Sequence, residues 1–239
     1  MASTKLIHCS RTNMIYPNSA SVSPLLFALE PYQAFCNYLA GQMNLPDTVV
    51  HGDGHPVLVI PGLAASGMAT VDMRIRLQDL GYAAYDWKHG INGGHGIDLD
   101  GWLRVLGKQV QELYERHDSP ISIIGWSLGG MYARELGLLH PALVRQVITL
   151  ATPFGILGES PRPCAGAEGG SVRYTSIYSQ TDGIVSWEKC IGPETSQHRN
   201  IEVNGVSHFG MVHHPDVLNV IASLLQEPLI TDHPHRYRS

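Results

Sequence analysis

The sequence predicts an α/β fold with a doubly wound, mostly parallel sheet, and three observations carry that reading. Strand-length segments recur at 57–60, 121–124 and Val144–Leu150, the first a continuous apolar run of the kind buried on both faces. Between them lie stretches with apolar residues at helical spacing, as at Trp102, Leu103, Leu106, Val110, Leu113 and Tyr114. Strands alternating with helices through short loops specify a parallel sheet covered on both sides. Composition agrees: 239 residues suffice for one full core, and 44% are apolar against 15% charged.

Residues 1–23 are rich in Ser, Thr and Asn without a period, and are expected to form a loose arm. One domain is expected over 24–228, with 24–43 as an N-terminal helical segment and 229–239 as a tail. Residues 25–43 are apolar enough to raise the question of a membrane span or a secretion signal. Glu30, Pro31, Gln33 and Asn37 interrupt the run and leave it too short to span. Only Lys5 and Arg11 lie upstream, short of the charged start of a signal peptide. A helix, or a pair broken near Pro31, packed against the domain is the expectation. Contact of 24–43 with a second copy or a membrane surface stays open, and the expected compartment is the cytoplasm.

The α/β rhythm starts at His55. Strand 57–60 leads into loop 61–67, a helix follows to about Leu80, and Gly81 ends it. Strand 82–87, a Gly-rich loop at 88–101 and helix 102–117 come next. Strand 121–124 and its helix precede strand Val144–Leu150. Strand 173–179, strand 201–203 and helix 217–225 close the fold. Residues 155–171 hold five glycines and two prolines with little to bury, and are expected to be a mobile cover at the site.

Chemistry concentrates at Gly125-Trp126-Ser127-Leu128-Gly129. A serine on a sharp strand-to-helix turn is pushed out above the sheet edge, and the crowding there requires glycine on either side. The helix that follows directs unpaired N–H groups at charge developing on a bound carbonyl. Ser127 is therefore the candidate nucleophile, and a packing turn is the alternative. A serine hydroxyl needs a base, and the base needs an acid to hold its tautomer. Both belong at the C-terminal ends of later strands, where the loops of an open α/β sheet converge. Asp182 follows strand 173–179, where a plain Asp-Gly turn is the alternative reading. His208 follows strand 201–203 on a small-residue loop; His198, His213 and His214 are less well placed. The oxyanion needs two donors, for which the N–H groups of Leu128 and of Leu63, in Pro61-Gly62-Leu63, are the candidates.

The order Ser127, Asp182, His208, with Pro61-Gly62 ahead of the turn, resembles the α/β-hydrolase superfamily and its lipase/esterase-like branch over about 52–225. Gly52-Asp53-Gly54-His55-Pro56 and Asp182-Gly183-Ile184-Val185 are similar to small bacterial lipase-like hydrolases. The resemblance implies hydrolysis of a carboxylic ester through an acyl-enzyme, with a small-molecule or lipid ester as substrate and neither metal nor organic cofactor. Two departures stand out. Trp126 occupies a position where many relatives carry histidine; with Asn92 and Phe209 it is a candidate for the substrate pocket. Only 152–172 is available for a cap, which implies a minimal lid and no full cap domain.

Other classes narrow as follows. A net charge of −5 implies no basic face for nucleic acid. Thirteen histidines form no metal-binding motif, and Cys9, Cys36, Cys164 and Cys190 lack zinc spacing. Some lipase relatives carry a disulfide near their acid, so a Cys164–Cys190 bridge and two free thiols both stay open. A thioesterase or acyltransferase on the same three residues, and a non-catalytic binding protein on the same scaffold, are the competing functions.

Overall fold

A computed structural model describes residues 21–43, 52–154 and 172–229. Most of the expected loose arm, all of the cover at 155–171 and nearly all of the C-terminal tail lie outside those residues. Among the described residues six strands form one sheet: β1 (Pro56–Ile60), β2 (Ala83–Asp86), β3 (Ile121–Trp126), β4 (Val144–Leu150), β5 (Arg173–Tyr178) and β6 (His198–Glu202). They lie in the order β2-β1-β3-β4-β5-β6, and every neighbouring pair is parallel. The central strands β1, β3 and β4 are buried at every position; β1 is an unbroken apolar run, while Ser122 of β3 and Arg145, Gln146 and Thr149 of β4 are polar residues buried among apolar ones.

Helices α2 (Val71–Asp79), α3 (Leu99–His117), α4 (Leu128–Leu139) and α5 (Pro215–Leu225) cover the two faces. One core layer joins Met73 and Leu77 of α2 to Val217, Ile221 and Leu225 of α5 across Val57, Val59, Ile124 and Ile148. The other joins Leu103, Leu106 and Val110 of α3 to Tyr132 and Leu136 of α4 across Leu58, Ile60, Ile123 and Val147. Successive strand residues thus feed opposite layers, as the pleat requires. The doubly wound sheet expected from the sequence is the sheet observed.

Several boundaries differ from the expectation, two of them for a clear reason. α3 begins at Leu99, three residues early, because Asp98 caps it by accepting the Gly101 N–H at 2.7 Å. β6 begins at His198; as an edge strand it keeps polar, partly exposed residues that an apolar-run criterion passes over.

The N-terminal segment takes the first of its two expected forms. It is one helix, α1 (Pro24–Met43), running through Pro31 without a break. Pro31 is exposed, so the Phe27 carbonyl that loses its donor faces water and can be hydrated. Its buried residues are Glu30, Asn37 and Gly41, while Leu25, Phe27, Tyr32, Phe35 and Met43 point outward. Among the described residues, no helix is long and apolar enough to cross a membrane.

Candidate active site

Ser127 sits between β3 and α4 with φ 53° and ψ −121°, a positive φ that side chains rarely adopt. The turn is held by Ser127 N–H donating to Leu150 O at 2.8 Å, and by Thr152 Oγ1 donating to Ser127 O at 3.0 Å. Its glycines are required by space: a Cβ on Gly125 would stand 2.4 Å from Gly129 O, and one on Gly129 2.4 Å from Ile60 O. A serine in the N-cap position ordinarily accepts a hydrogen bond from its own helix. Ser127 makes no such bond, which leaves its Oγ uncommitted at the start of α4.

Asp182 and His208 come together. Asp182 lies four residues beyond the end of β5 and His208 six beyond β6, both buried. His208 Nδ1 stands 2.8 Å from Asp182 Oδ2. The other carboxylate oxygen, Oδ1, accepts the N–H groups of Ile184 and Val185 at 2.8 and 2.7 Å. Those two bonds fix the carboxylate plane and turn Oδ2 toward the imidazole.

Trp126 connects this pair to the turn. Its indole N–H donates to His208 O at 3.1 Å, and its ring packs on the His208 ring at 5.6 Å and on Phe209 at 5.8 Å. The residue before Ser127 thus holds the loop that carries His208. No hydrogen bond joins Ser127 to His208 among the bonds of the described residues; such bonds commonly tighten only with substrate in place.

Leu63 follows β1, and a Cβ on Gly62 would meet Ser127 Cβ at 3.2 Å, so this loop lies against the turn. Neither the Leu63 nor the Leu128 N–H donates to a described residue. These groups lie beyond the C-terminal ends of β1 and β3, where the strand order reverses and open α/β sheets bind ligands.

Of the pocket candidates, Trp126 is only 4% exposed and acts as a wall behind His208, while Phe209 is half exposed. Asn92 is fully buried and its amide is committed: Nδ2 donates to Pro61 O at 2.8 Å, and Oδ1 accepts the Gly94 N–H at 3.1 Å. Its backbone pairs with Ala64 and Ala65 as well. Asn92 therefore pins the loop bearing Leu63.

Sequence reasoning missed two residues of α1. Glu30 Oε2 accepts the Gly183 N–H at 2.9 Å and Oε1 the Phe209 N–H at 3.0 Å. Asn37 Oδ1 accepts the Ser207 N–H at 2.9 Å, and Nδ2 donates to Gly205 O at 3.2 Å. The available signal was that Glu30 is the single charged residue within Pro24–Met43. Cys190 is a free, buried thiol that burial pushes up beyond the range of a reactive cysteine. Its suggested partner Cys164 lies outside the described residues.

A second Asp-His-Ser series needs separating from this one. His55 bonds Asp53 through Nδ1 and Ser122 through Nε2 at 2.8 Å. It sits at the opposite, N-terminal edge of the sheet, where Ser122 is 0% exposed and also bonded by Gln146. No substrate reaches that hydroxyl, and the arrangement ties β1 to β3 and β4.

Solved structures of similar shape include a lipase of Bacillus licheniformis in mature form, 16% identical with a TM-score of 0.55, over 75% of this chain and 96% of that one. A monoacylglycerol lipase of Paleococcus ferrophilus is 13% identical with a TM-score of 0.55, over 73% and 95%. A CIB-like hydrolase of Thermoplasma acidophilum is 17% identical with a TM-score of 0.52, over 76% and 88%. The chain has the α/β-hydrolase fold. No protein-family model matches it, and no curated protein matches its sequence. Within the α/β-hydrolase fold, the turn after β3 and the loops after β5 and β6 are where Ser127, Asp182 and His208 stand.

Proposed function

We propose that this α/β-hydrolase-fold chain is a serine hydrolase that cleaves carboxylic esters. The observation that carries the proposal is the buried Asp182–His208 pair, held by Trp126 against the turn on which Ser127 presents an uncommitted hydroxyl. In this reading Ser127 Oγ attacks the ester carbonyl while His208 Nε2 takes its proton. Asp182 holds the Nδ1 proton and stabilises the imidazolium that forms. The Leu63 and Leu128 N–H groups receive the developing oxyanion, each worth about 3 kcal/mol of barrier. Collapse of the tetrahedral intermediate expels the alcohol, which takes the proton from His208 and leaves an acyl-serine. Water, deprotonated by the same imidazole, then releases the acid and regenerates Ser127. Every step uses side chains and backbone of this chain, so the reading invokes no cofactor.

The lipase and monoacylglycerol lipase among the similar structures support an ester substrate. The outward apolar side chains of α1 support the further reading that 24–43 meets a second copy or a lipid surface. The test is a panel of p-nitrophenyl esters of rising chain length, with one thioester, against the wild type and Ser127→Ala. The account expects ester turnover by the wild type and its loss, at least a thousandfold, in a folded Ser127→Ala protein. Unchanged turnover in that variant would contradict it.

A further inference from the structure

An amphipathic surface helix ordinarily turns its apolar stripe inward, and α1 does the reverse. Glu30 is 2% and Asn37 6% exposed, while Leu25, Phe27, Tyr32 and Phe35 are each more than 60% exposed. A buried carboxylate is tolerated only where its oxygens are paired. What pairs them is informative. Gly183 directly follows Asp182, and Phe209 directly follows His208; one carboxylate accepts a backbone N–H from each. Two turns further along the same face, Asn37 takes the N–H of Ser207, the residue before His208, and donates to Gly205 O. The backbone on both sides of His208 is therefore held by α1, and the Asp182 loop is tied to the His208 loop through a single side chain.

The chain accommodates this contact with small residues. A Cβ on Gly183 would lie 2.5 Å from Leu26 O, one on Gly210 2.2 Å from Asn37 Oδ1, and one on Gly41 2.3 Å from His213 O. The chemistry explains why residue 30 is an acid. Two converging N–H donors need two acceptor oxygens, and glutamine would set its NH₂ against one of them.

We propose that α1 is a clamp on the catalytic loops, with Glu30 and Asn37 as positioning residues that hold the Asp182–His208 pair in register with Ser127. The inference rests on the serine-hydrolase reading above. Neither residue contacts the reacting atoms; each acts through the backbone beside them. A displacement on the order of 1 Å at reacting groups lowers rates by about a hundredfold, so a loosened clamp acts on turnover and leaves binding of a small ester nearly unchanged.

The experiment uses the full chain with p-nitrophenyl acetate, separating kcat from KM for Glu30→Gln, Asn37→Ala and a control, Gln42→Ala. Gln42 is on the same helix but bonds Asp72. Circular dichroism and Tm establish folding. The expected result is a fall in kcat of at least tenfold for Glu30→Gln and severalfold for Asn37→Ala, KM within twofold, and wild-type values for the control. A folded Glu30→Gln protein with wild-type kcat overturns the clamp. If Glu30→Gln does not fold, Asn37→Ala decides, since it leaves the buried carboxylate paired; wild-type kcat there overturns the proposal equally. The two readings fail differently. A wild type that neither turns over ester nor takes a fluorophosphonate at Ser127 removes the hydrolase reading. An active wild type with an equally active Glu30→Gln removes the clamp alone.

Discussion

Ser127 holds a backbone conformation that costs an L-residue about 1–3 kcal/mol, and it persists because the strand, helix and neighbouring loop over-determine it. Glycine would shed that strain, less about 0.5–1 kcal/mol for its greater freedom in the unfolded chain. Ser127→Gly should therefore be more stable than Ser127→Ala by about 1 kcal/mol, read as a higher urea midpoint; equal or reversed midpoints would show an unstrained turn. This residue was legible in the sequence because its constraints are local: Gly125, Gly129, an apolar strand before and a helix after. Asp182 and His208 were legible for a related reason, since each follows a strand whose end is fixed by the sheet. Glu30 and Asn37 were not. Their partners lie 153 to 179 residues away, and no local pattern encodes such a pairing.

At the scale of elements, α1 shows how a local rule and a tertiary contact compete. Proline in a helix interior predicts a break, yet the helix continues because its other face is fastened at Glu30, Asn37 and Gly41. The penalty is still present. Pro31→Ala should restore a donor to the Phe27 carbonyl and stabilise the protein by about 1–3 kcal/mol. A thermal or urea midpoint that does not rise would mean that the helix here gains nothing from that bond. β1 was legible because burial on both faces leaves an unbroken apolar run, whereas β4, equally buried, carries Arg145, Gln146 and Thr149. β6 was legible only in part: an edge strand keeps polar side chains, and its first three residues carry no apolar signal.

Across the whole molecule, several histidines are held neutral by their surroundings. Burial and the Arg134 guanidinium push His198 down to about 4. Burial lowers His55 against the opposing pull of Asp53, and lowers His140, His213 and His214 too. Each folded-state value lies below the ordinary value of about 6.5, so between the two the unfolded chain binds more protons. Stability is then full above about pH 6.5 and declines as pH falls toward 4. The thermal midpoint should be about 5 °C or more lower at pH 5 than at pH 7.5; an equal or higher midpoint at pH 5 would contradict the burial of these rings. The parallel sheet covered on both faces follows from strand and helix alternation, which the sequence displays; the strand order and its reversal point come from the structure. The packing of α1 over the loops after β5 and β6 depends on the finished sheet, and so comes into view only with the structure.

The central claim is that Ser127 is the activated nucleophile, and covalent labelling tests it most directly. The folded chain is treated with a fluorophosphonate and the adduct located by peptide mass, alongside Asp182→Asn. The account predicts one adduct per chain, on Ser127, formed far more slowly in Asp182→Asn, where the ring loses its orienting acceptor. No adduct on the folded wild type, or one on another residue with Ser127 unmodified, would contradict it.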